Sequence, residues 1–175
     1  GEDGVAAVSI IMYLQFLCIG IYFGFSMGLS TPLGYAYGDR NFSVCRVLEK
    51  YAYRFFSIAP IILYGCTYLL APIGVRFFAS PGSTVFDMAV SGMRLYGLGF
   101  LFSGINIFAA IRMMTYGKGY ISGMITFLRS FALLLLFLTV LPRFLELNGI
   151  WLAVPAAEIL TLIVALWTLR KKTVA

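Results

Sequence analysis

The first long stretch of this chain contains no charged residue. The run from Val5 to Leu29 is uncharged throughout and exceeds the roughly 20 residues that a helix needs to cross membrane hydrocarbon. Four further long apolar runs follow it. A soluble domain contains about 25% charged residues, whereas this chain contains 11% charged and 61% hydrophobic residues. The sequence therefore predicts an all-α membrane protein.

The apolar runs predict one transmembrane domain of five helices. The predicted spans cover residues 5–37, 55–75, 91–111, 121–141 and 148–169. Residues 39–54 are predicted to form an amphipathic cytoplasmic connector, with an apolar stripe at Val44, Val47 and Leu48 and with Glu49 on another side. Residues 147–149 predict the tight turn between the last two helices. Long runs without period-two alternation exclude a transmembrane β-barrel.

Basic residues are distributed unequally between the two ends of these helices. Cytoplasmic loops carry an excess of Lys and Arg, so the distribution predicts an N-terminus outside the cell and a C-terminus in the cytoplasm. Three basic residues flank the spans on the predicted outer side: Arg76, Arg94 and Arg143. Nine flank them on the other side: Arg40, Arg46, Lys50, Arg54, Arg112, Lys118, Arg170, Lys171 and Lys172. The net charge of +6 therefore indicates contact with the lipid bilayer rather than nucleic-acid binding.

Glycines recur along the first helix. Gly20, Gly24 and Gly28 share one helix face, on which a neighbouring backbone can approach closely. Pro32 in the first helix and Pro155 in the last helix each lack a backbone N–H and are expected to bend their helices. The pattern favours a first helix that is either closely packed or a moving part.

Two ionisable residues lie inside predicted spans. Glu158 lies roughly 15 Å from either end of the last span, where it should face protein or water. It is either a carboxylate that couples transport to protons or sodium, or a structural carboxyl that is protonated or paired with arginine. Arg129 lies roughly 10 Å from the cytoplasmic side and either extends to that interface or faces the interior. In the second case it could pair with Glu158.

Uncharged polar and aromatic residues also occur within the spans. Gln15 and Asn106 are predicted either to form interhelical hydrogen bonds or to line a substrate cavity. Aromatic side chains could bind a lipophilic cation or could serve packing; they are Tyr13, Phe16, Tyr22, Phe102 and Phe108. Among these aromatic residues, Tyr22 is taken as the candidate for the cavity wall.

Enzymatic constellations are absent from the sequence. The chain contains no histidine, and Cys18, Cys45 and Cys66 lack metal-ligand spacing. No nucleophile elbow, phosphate-binding loop or CxxC motif occurs. We therefore expect neither an enzyme nor a bound metal or cofactor.

Two segments resemble bacterial multidrug and toxic compound extrusion (MATE) transporters. The outer loop and eighth helix of that family are similar to GEDGVAAVSIIMYLQF and the following GFSMGLSTPLGYAYGDRN. Its last two helices are similar to LRSFALLLLFLTVLPRFLELNGIWLAVPAAEILTLIVALWTLRKK. The family has twelve helices in two lobes. The resemblance implies that this chain forms helices eight to twelve, and that the N-terminal lobe and the preceding helix are its partners.

The resemblance implies a multi-pass antiporter of the bacterial inner membrane. Such a transporter exports lipophilic cations in exchange for sodium or protons by alternating access. Glu158 matches the acid that follows Pro-Ala-Ala in the last helix of relatives. Some relatives carry an aspartate in the helix matching Leu95 to Ile111, where none is present here and Asn106 is the nearest polar substitute. Two alternatives remain, namely a flippase for a lipid-linked sugar and a non-transporting membrane subunit.

Overall fold

The computed structural model describes residues 2–170, which form a helical bundle. The helices are α1 (Glu2–Gly38), α2 (Phe42–Arg76), α3 (Thr84–Tyr96), α4 (Phe100–Thr115), α5 (Gly119–Phe127), α6 (Leu133–Val140) and α7 (Pro142–Arg170). A 3₁₀ turn at Gly97–Gly99 joins α3 to α4, and a π-helical turn at Leu128–Ala132 joins α5 to α6. Five helical segments are long and apolar enough to cross a membrane, namely α1, α2, α3–α4, α5–α6 and α7. The predicted number of spans is confirmed, while the predicted cytoplasmic cations Lys171 and Lys172 lie outside the described residues.

Helix α2 includes the segment that was predicted to be a separate connector. The side chain of Asn41 accepts a hydrogen bond from the backbone N–H of Val44 at 3.4 Å and caps the helix, which then continues unbroken through the second span. Two of the three residues of the predicted apolar stripe face outward, and the opposite side of the segment packs on the bundle. Val44 and Val47 are exposed, whereas Cys45 and Glu49 are buried. The segment is thus the first part of α2, and its place at the membrane interface stays a prediction.

The chain reverses between α6 and α7 earlier than predicted. Glu146 interrupts Pro142–Arg170 with a φ of 49° and a ψ of −126°, so the reversal lies before residue 147. Residues 147–149, predicted to form this turn, instead begin the long part of α7. Gly149 packs against the reversal, because a Cβ atom there would lie 2.5 Å from the carbonyl carbon of Leu141. The glycine thus serves close packing rather than the turn itself.

Aromatic side chains fill the core between α1, α2 and α4. Phe56 of α2 stacks on Phe108 of α4, with ring centroids 5.4 Å apart. Tyr22 of α1 is fully buried beside them and contacts Phe56. Gly104 permits this packing, since a Cβ atom there would lie 2.8 Å from the Phe56 ring. These contacts fix the rotation of the first helices about their axes.

The glycine face of α1 points away from the rest of the bundle. No atom lies within 4 Å of an ideal Cβ at Gly20, Gly24 or Gly28. The buried residues Tyr22 and Ser26 lie on the opposite side of the helix, about 200° from Gly24. Among residues 2–170, the glycine face therefore makes no close helix contact, and its close packing stays a prediction. Helices α1 and α7 continue through their prolines, and the bends stay predictions.

Candidate functional site

The Glu158 side chain lies in the interior of the bundle and is held by two neighbouring segments. Its carboxylate accepts a hydrogen bond from Nε of Arg129 to Oε1, at 2.6 Å, and another from Nδ2 of Asn106 to Oε2, at 2.7 Å. Asn106 Nδ2 also lies 2.9 Å from the Glu158 carbonyl oxygen. Glu158 is only 4% exposed. The structure therefore contains the Arg129–Glu158 pair that the sequence left open, and it adds Asn106 to the pair.

Arg129 lies in the π-helical turn at Leu128–Ala132. A π-helical turn changes the direction in which its side chains leave the helix and frequently occurs at functional sites. The Arg129 side chain is 16% exposed and reaches inward to Glu158. Within residues 2–170, its two Nη nitrogens have no hydrogen-bond partner from the protein. The guanidinium thus keeps donors that no other described residue occupies.

A cavity of about 210 Å³ adjoins the ion pair. Segments α1, α3–α4, α5–α6 and α7 all contribute to its wall. Its polar lining residues are Gln15, Tyr96, Ser103, Arg129, Ser130 and Glu158. Its apolar lining includes Phe16, Ile19, Phe100, Leu134 and Val154. The cavity is therefore lined by the ion pair of Glu158 with Arg129, by hydroxyl and amide groups, and by an apolar wall.

Two oxygen atoms near Glu158 are buried without a hydrogen-bond partner among the described residues. They are the hydroxyl oxygen of Ser103 and the amide oxygen of Asn106. The two side chains are separated by three residues along α4 and therefore share a helix face. Buried polar atoms are normally satisfied. Their oxygens are thus free to accept a hydrogen bond or to approach a small cation.

The predicted cavity residues divide between the cavity and the core. Gln15 lines the cavity and accepts a hydrogen bond from the Tyr96 hydroxyl. Tyr22 lies in the core instead, where its hydroxyl donates to the carbonyl oxygen of Phe100 at 2.9 Å. The reason is that Tyr22 lies on the side of α1 that faces α2 and α4. Phe108 is likewise buried in the core, and Phe16 is the predicted aromatic residue that does line the cavity.

Three polar lining residues were not singled out from the sequence, namely Tyr96, Ser103 and Ser130. Ser103 lies three residues before Asn106 on the same helix, and this spacing was an available signal. Ser130 follows Arg129 directly, so an inward arginine places it nearby. No sequence pattern indicated that Tyr96 lines the cavity, because its contact with Gln15 depends on how α3 packs against α1.

A second buried ion pair lies where α1 ends and α2 begins. Glu49 of α2 is 2.5 Å from Nε of Arg112 in α4, and it accepts a hydrogen bond from the Tyr116 hydroxyl at 2.6 Å. Tyr116 follows the end of α4, and burial together with the Glu49 carboxylate raises the pKa of its hydroxyl. The network joins α2 to α4. Across residues 2–170, no group of His, Cys, Asp and Glu residues could hold a metal ion.

Comparison with known proteins gives a consistent result. The sequence matches the MatE family over residues 1–141. The fold is similar to that of a mutant of the Vibrio cholerae MATE transporter VcmN, with a TM-score of 0.88 and 20% sequence identity. The superposition covers 98% of this chain and 39% of that transporter. An outward-facing multidrug resistance MATE family transporter of the MOP superfamily gives a TM-score of 0.87 at 22% identity, covering 96% of this chain and 38% of that one.

The fold is also similar to that of a MOP superfamily transporter from Pyrococcus furiosus. That protein is described as having a binding pocket of reverse polarity, which suggests a different function for it. Its TM-score is 0.86 at 21% identity, covering 96% of this chain and 38% of that one. No curated protein sequence matches the chain. The chain spans about two fifths of the length of the solved transporters that it matches.

Proposed function

The chain belongs to the MatE family, whose members are membrane transporters rather than enzymes, and we propose that it forms part of a bacterial multidrug efflux antiporter. In this proposal it is the C-terminal part of a two-lobe transporter in the inner membrane. An N-terminal lobe and a preceding helix complete the pathway. The transporter exports lipophilic cations in exchange for sodium or protons by alternating access.

The buried Glu158 beside the cavity is the observation that carries this proposal. An acid in the middle of a membrane span costs about 2.5–3.5 kcal/mol on insertion scales and usually marks an ion or substrate pathway. Glu158 lines the cavity together with Arg129. The unpartnered oxygens of Ser103 and Asn106 lie on the α4 face that contacts Glu158. This arrangement supports cation binding at the carboxylate.

Arg129 supplies the charge partner of Glu158 when no external cation is bound. A sodium ion or proton that reaches Oε1 competes with the guanidinium, which is 2.6 Å away. Because an unpaired charge is costly in the membrane interior, Glu158 is expected to keep a partner throughout the cycle. Arg129 and the coupling ion would then alternate at the same carboxylate, which links ion binding to a rearrangement of α5–α6.

Aromatic groups on the cavity wall support a lipophilic cation as substrate. Phe16, Tyr96 and Phe100 line the cavity from α1, α3 and α4. Aromatic faces attract organic cations, by about 2 kcal/mol or more where water is excluded. Within the described part of the chain, Arg129 is the one cation that lines the cavity, and Glu158 neutralises it. A flippase for a lipid-linked sugar would need a broadly cationic cavity, so this lining favours the antiporter.

Ethidium efflux from cells that express the complete transporter tests the proposal. We expect Glu158→Gln to reduce ion-driven efflux at least about ten-fold, since the neutral amide cannot exchange one cation for another. Glu146→Gln, which changes an exposed acid on the same helix, is the matched control and should retain efflux. Unchanged efflux in Glu158→Gln would refute the coupling role of Glu158, and a lack of efflux in the wild type would favour the flippase.

A further inference from the structure

Three basic residues form a continuous stripe along the first turns of α2. Arg46, Lys50 and Arg54 follow one another at intervals of four residues, and all three are exposed. With about 100° of rotation per residue, they lie within about 80° of the helix circumference and extend over about 12 Å of its length. We call these three residues the basic stripe.

Among the residues that the structure describes, the basic stripe has no acidic partner. The ion pairs within residues 2–170 join Arg112 to Glu49 and Arg129 to Glu158. Glu49 is the acid of α2, and it points inward to Arg112 and to the hydroxyl of Tyr116. The inward network therefore turns the carboxylate of α2 away from the stripe. A concentrated positive charge is left on the outer surface of the helix.

Exposed apolar side chains lie directly beside the basic stripe. Val47, Tyr51 and Ile58 are 53%, 58% and 60% exposed and occupy the adjoining sector of the helix. No residue of α2 lines the cavity next to Glu158, so this surface lies apart from the proposed transport site. A sector of cations next to a sector of apolar residues, near the end of a membrane span, matches the boundary between lipid headgroups and acyl chains.

We propose that the basic stripe binds the phosphate-bearing headgroup of an anionic phospholipid, whose acyl chains lie along the adjoining apolar sector. Three cations at intervals of about 6 Å can contact one headgroup oxygen cluster together. Unpaired Lys and Arg residues near a membrane surface attract anionic lipid electrostatically. The bound lipid would hold the first turns of α2 at the membrane interface. The proposal does not depend on the transported substrate or the coupling ion.

Native mass spectrometry of the purified protein tests this proposal by titration with phosphatidylglycerol and with phosphatidylcholine. We expect the wild type to bind phosphatidylglycerol preferentially. The triple variant Arg46→Gln, Lys50→Gln and Arg54→Gln should bind it at least about ten-fold more weakly, since each cation near the surface contributes to attraction. All three residues are exposed, so their replacement should leave the thermal unfolding temperature unchanged.

Two control variants accompany the triple variant. Neutralising Arg76 and Arg143, exposed cations at the opposite end of the bundle, should leave the affinity for phosphatidylglycerol at the wild-type value. The charge-preserving variant Arg46→Lys, Lys50→Arg and Arg54→Lys should retain binding. An unchanged preference in the triple glutamine variant would overturn the proposal, as would an equal loss in the charge-preserving variant or in the Arg76 and Arg143 control.

Discussion

At the scale of single residues, the pairing of Glu158 with Arg129 explains how an acid is tolerated in a membrane span. The carboxylate receives hydrogen bonds from Arg129 and Asn106, so neither of its oxygens is left without a donor. A buried ion pair gains little net stability, but removal of one partner leaves a costly unpaired charge. The pair therefore fixes α5–α6 against α7. A cation that displaced Arg129 from Glu158 would release this contact.

A double-mutant cycle tests the energetic coupling of Glu158 and Arg129. We expect Glu158→Gln and Arg129→Gln each to destabilise the protein by about 3 kcal/mol, because each leaves its partner's charge buried. The double variant should lose clearly less than the sum of the two, since both charges are then removed. Unfolding in detergent, followed by circular dichroism, measures these differences. Glu158→Gln combined with Arg76→Gln is the control and should be additive; additivity in the Glu158–Arg129 cycle would contradict the pairing.

At the scale of helices, the sequence located the elements well because long apolar runs have few other solutions. The turn before α7 was misplaced because a glycine can either form a turn or permit close packing of two backbones. Gly149 indicated a turn, but in the structure it lies in α7, where the backbone of Leu141 approaches closely. The reversal instead falls near Glu146, which adopts a positive φ despite its side chain. No local signal in the sequence distinguishes a glycine for turning from a glycine for contact.

Replacement of Gly149 by alanine tests the close approach of α7 to the preceding turn. A Cβ atom at this position would lie 2.5 Å from the Leu141 carbonyl carbon and oxygen. Backbone atoms cannot move aside like a flexible side chain, so Gly149→Ala should cost about 1–3 kcal/mol of stability. The thermal unfolding temperature in detergent provides the measurement.

The matched control is Gly28→Ala on the exposed glycine face of α1. No atom lies within 4 Å of a Cβ at Gly28, and alanine favours a helix over glycine by about 1 kcal/mol. The unfolding temperature of this variant should therefore stay unchanged or rise. A Gly149→Ala variant as stable as Gly28→Ala would show that the two helices can separate there without cost.

At the scale of the whole molecule, the site was most predictable where burial carries a high energetic cost. Charged residues within apolar runs are rare, so Glu158 and Arg129 were apparent from the sequence. Tyr96 was not, because neutral polar residues are common in membrane helices and helix rotation decides which of them meet. For the same reason, the position of Tyr22 in the core could not be predicted from the sequence. The aromatic packing of α1, α2 and α4 sets that rotation and is a property of the assembled bundle.

The orientation of the bundle in the membrane remains a prediction from the charge distribution. Cysteine labelling tests it in a background where Cys18, Cys45 and Cys66 are replaced by serine. Ser80 is exposed in the turn between α2 and α3, and Lys118 is exposed between α4 and α5, at opposite ends of the bundle. Since basic residues favour the cytoplasmic side, a membrane-impermeant maleimide added to intact cells should label Ser80→Cys and spare Lys118→Cys. Permeabilised cells should allow both to react, whereas the reverse pattern in intact cells would place the N-terminus in the cytoplasm.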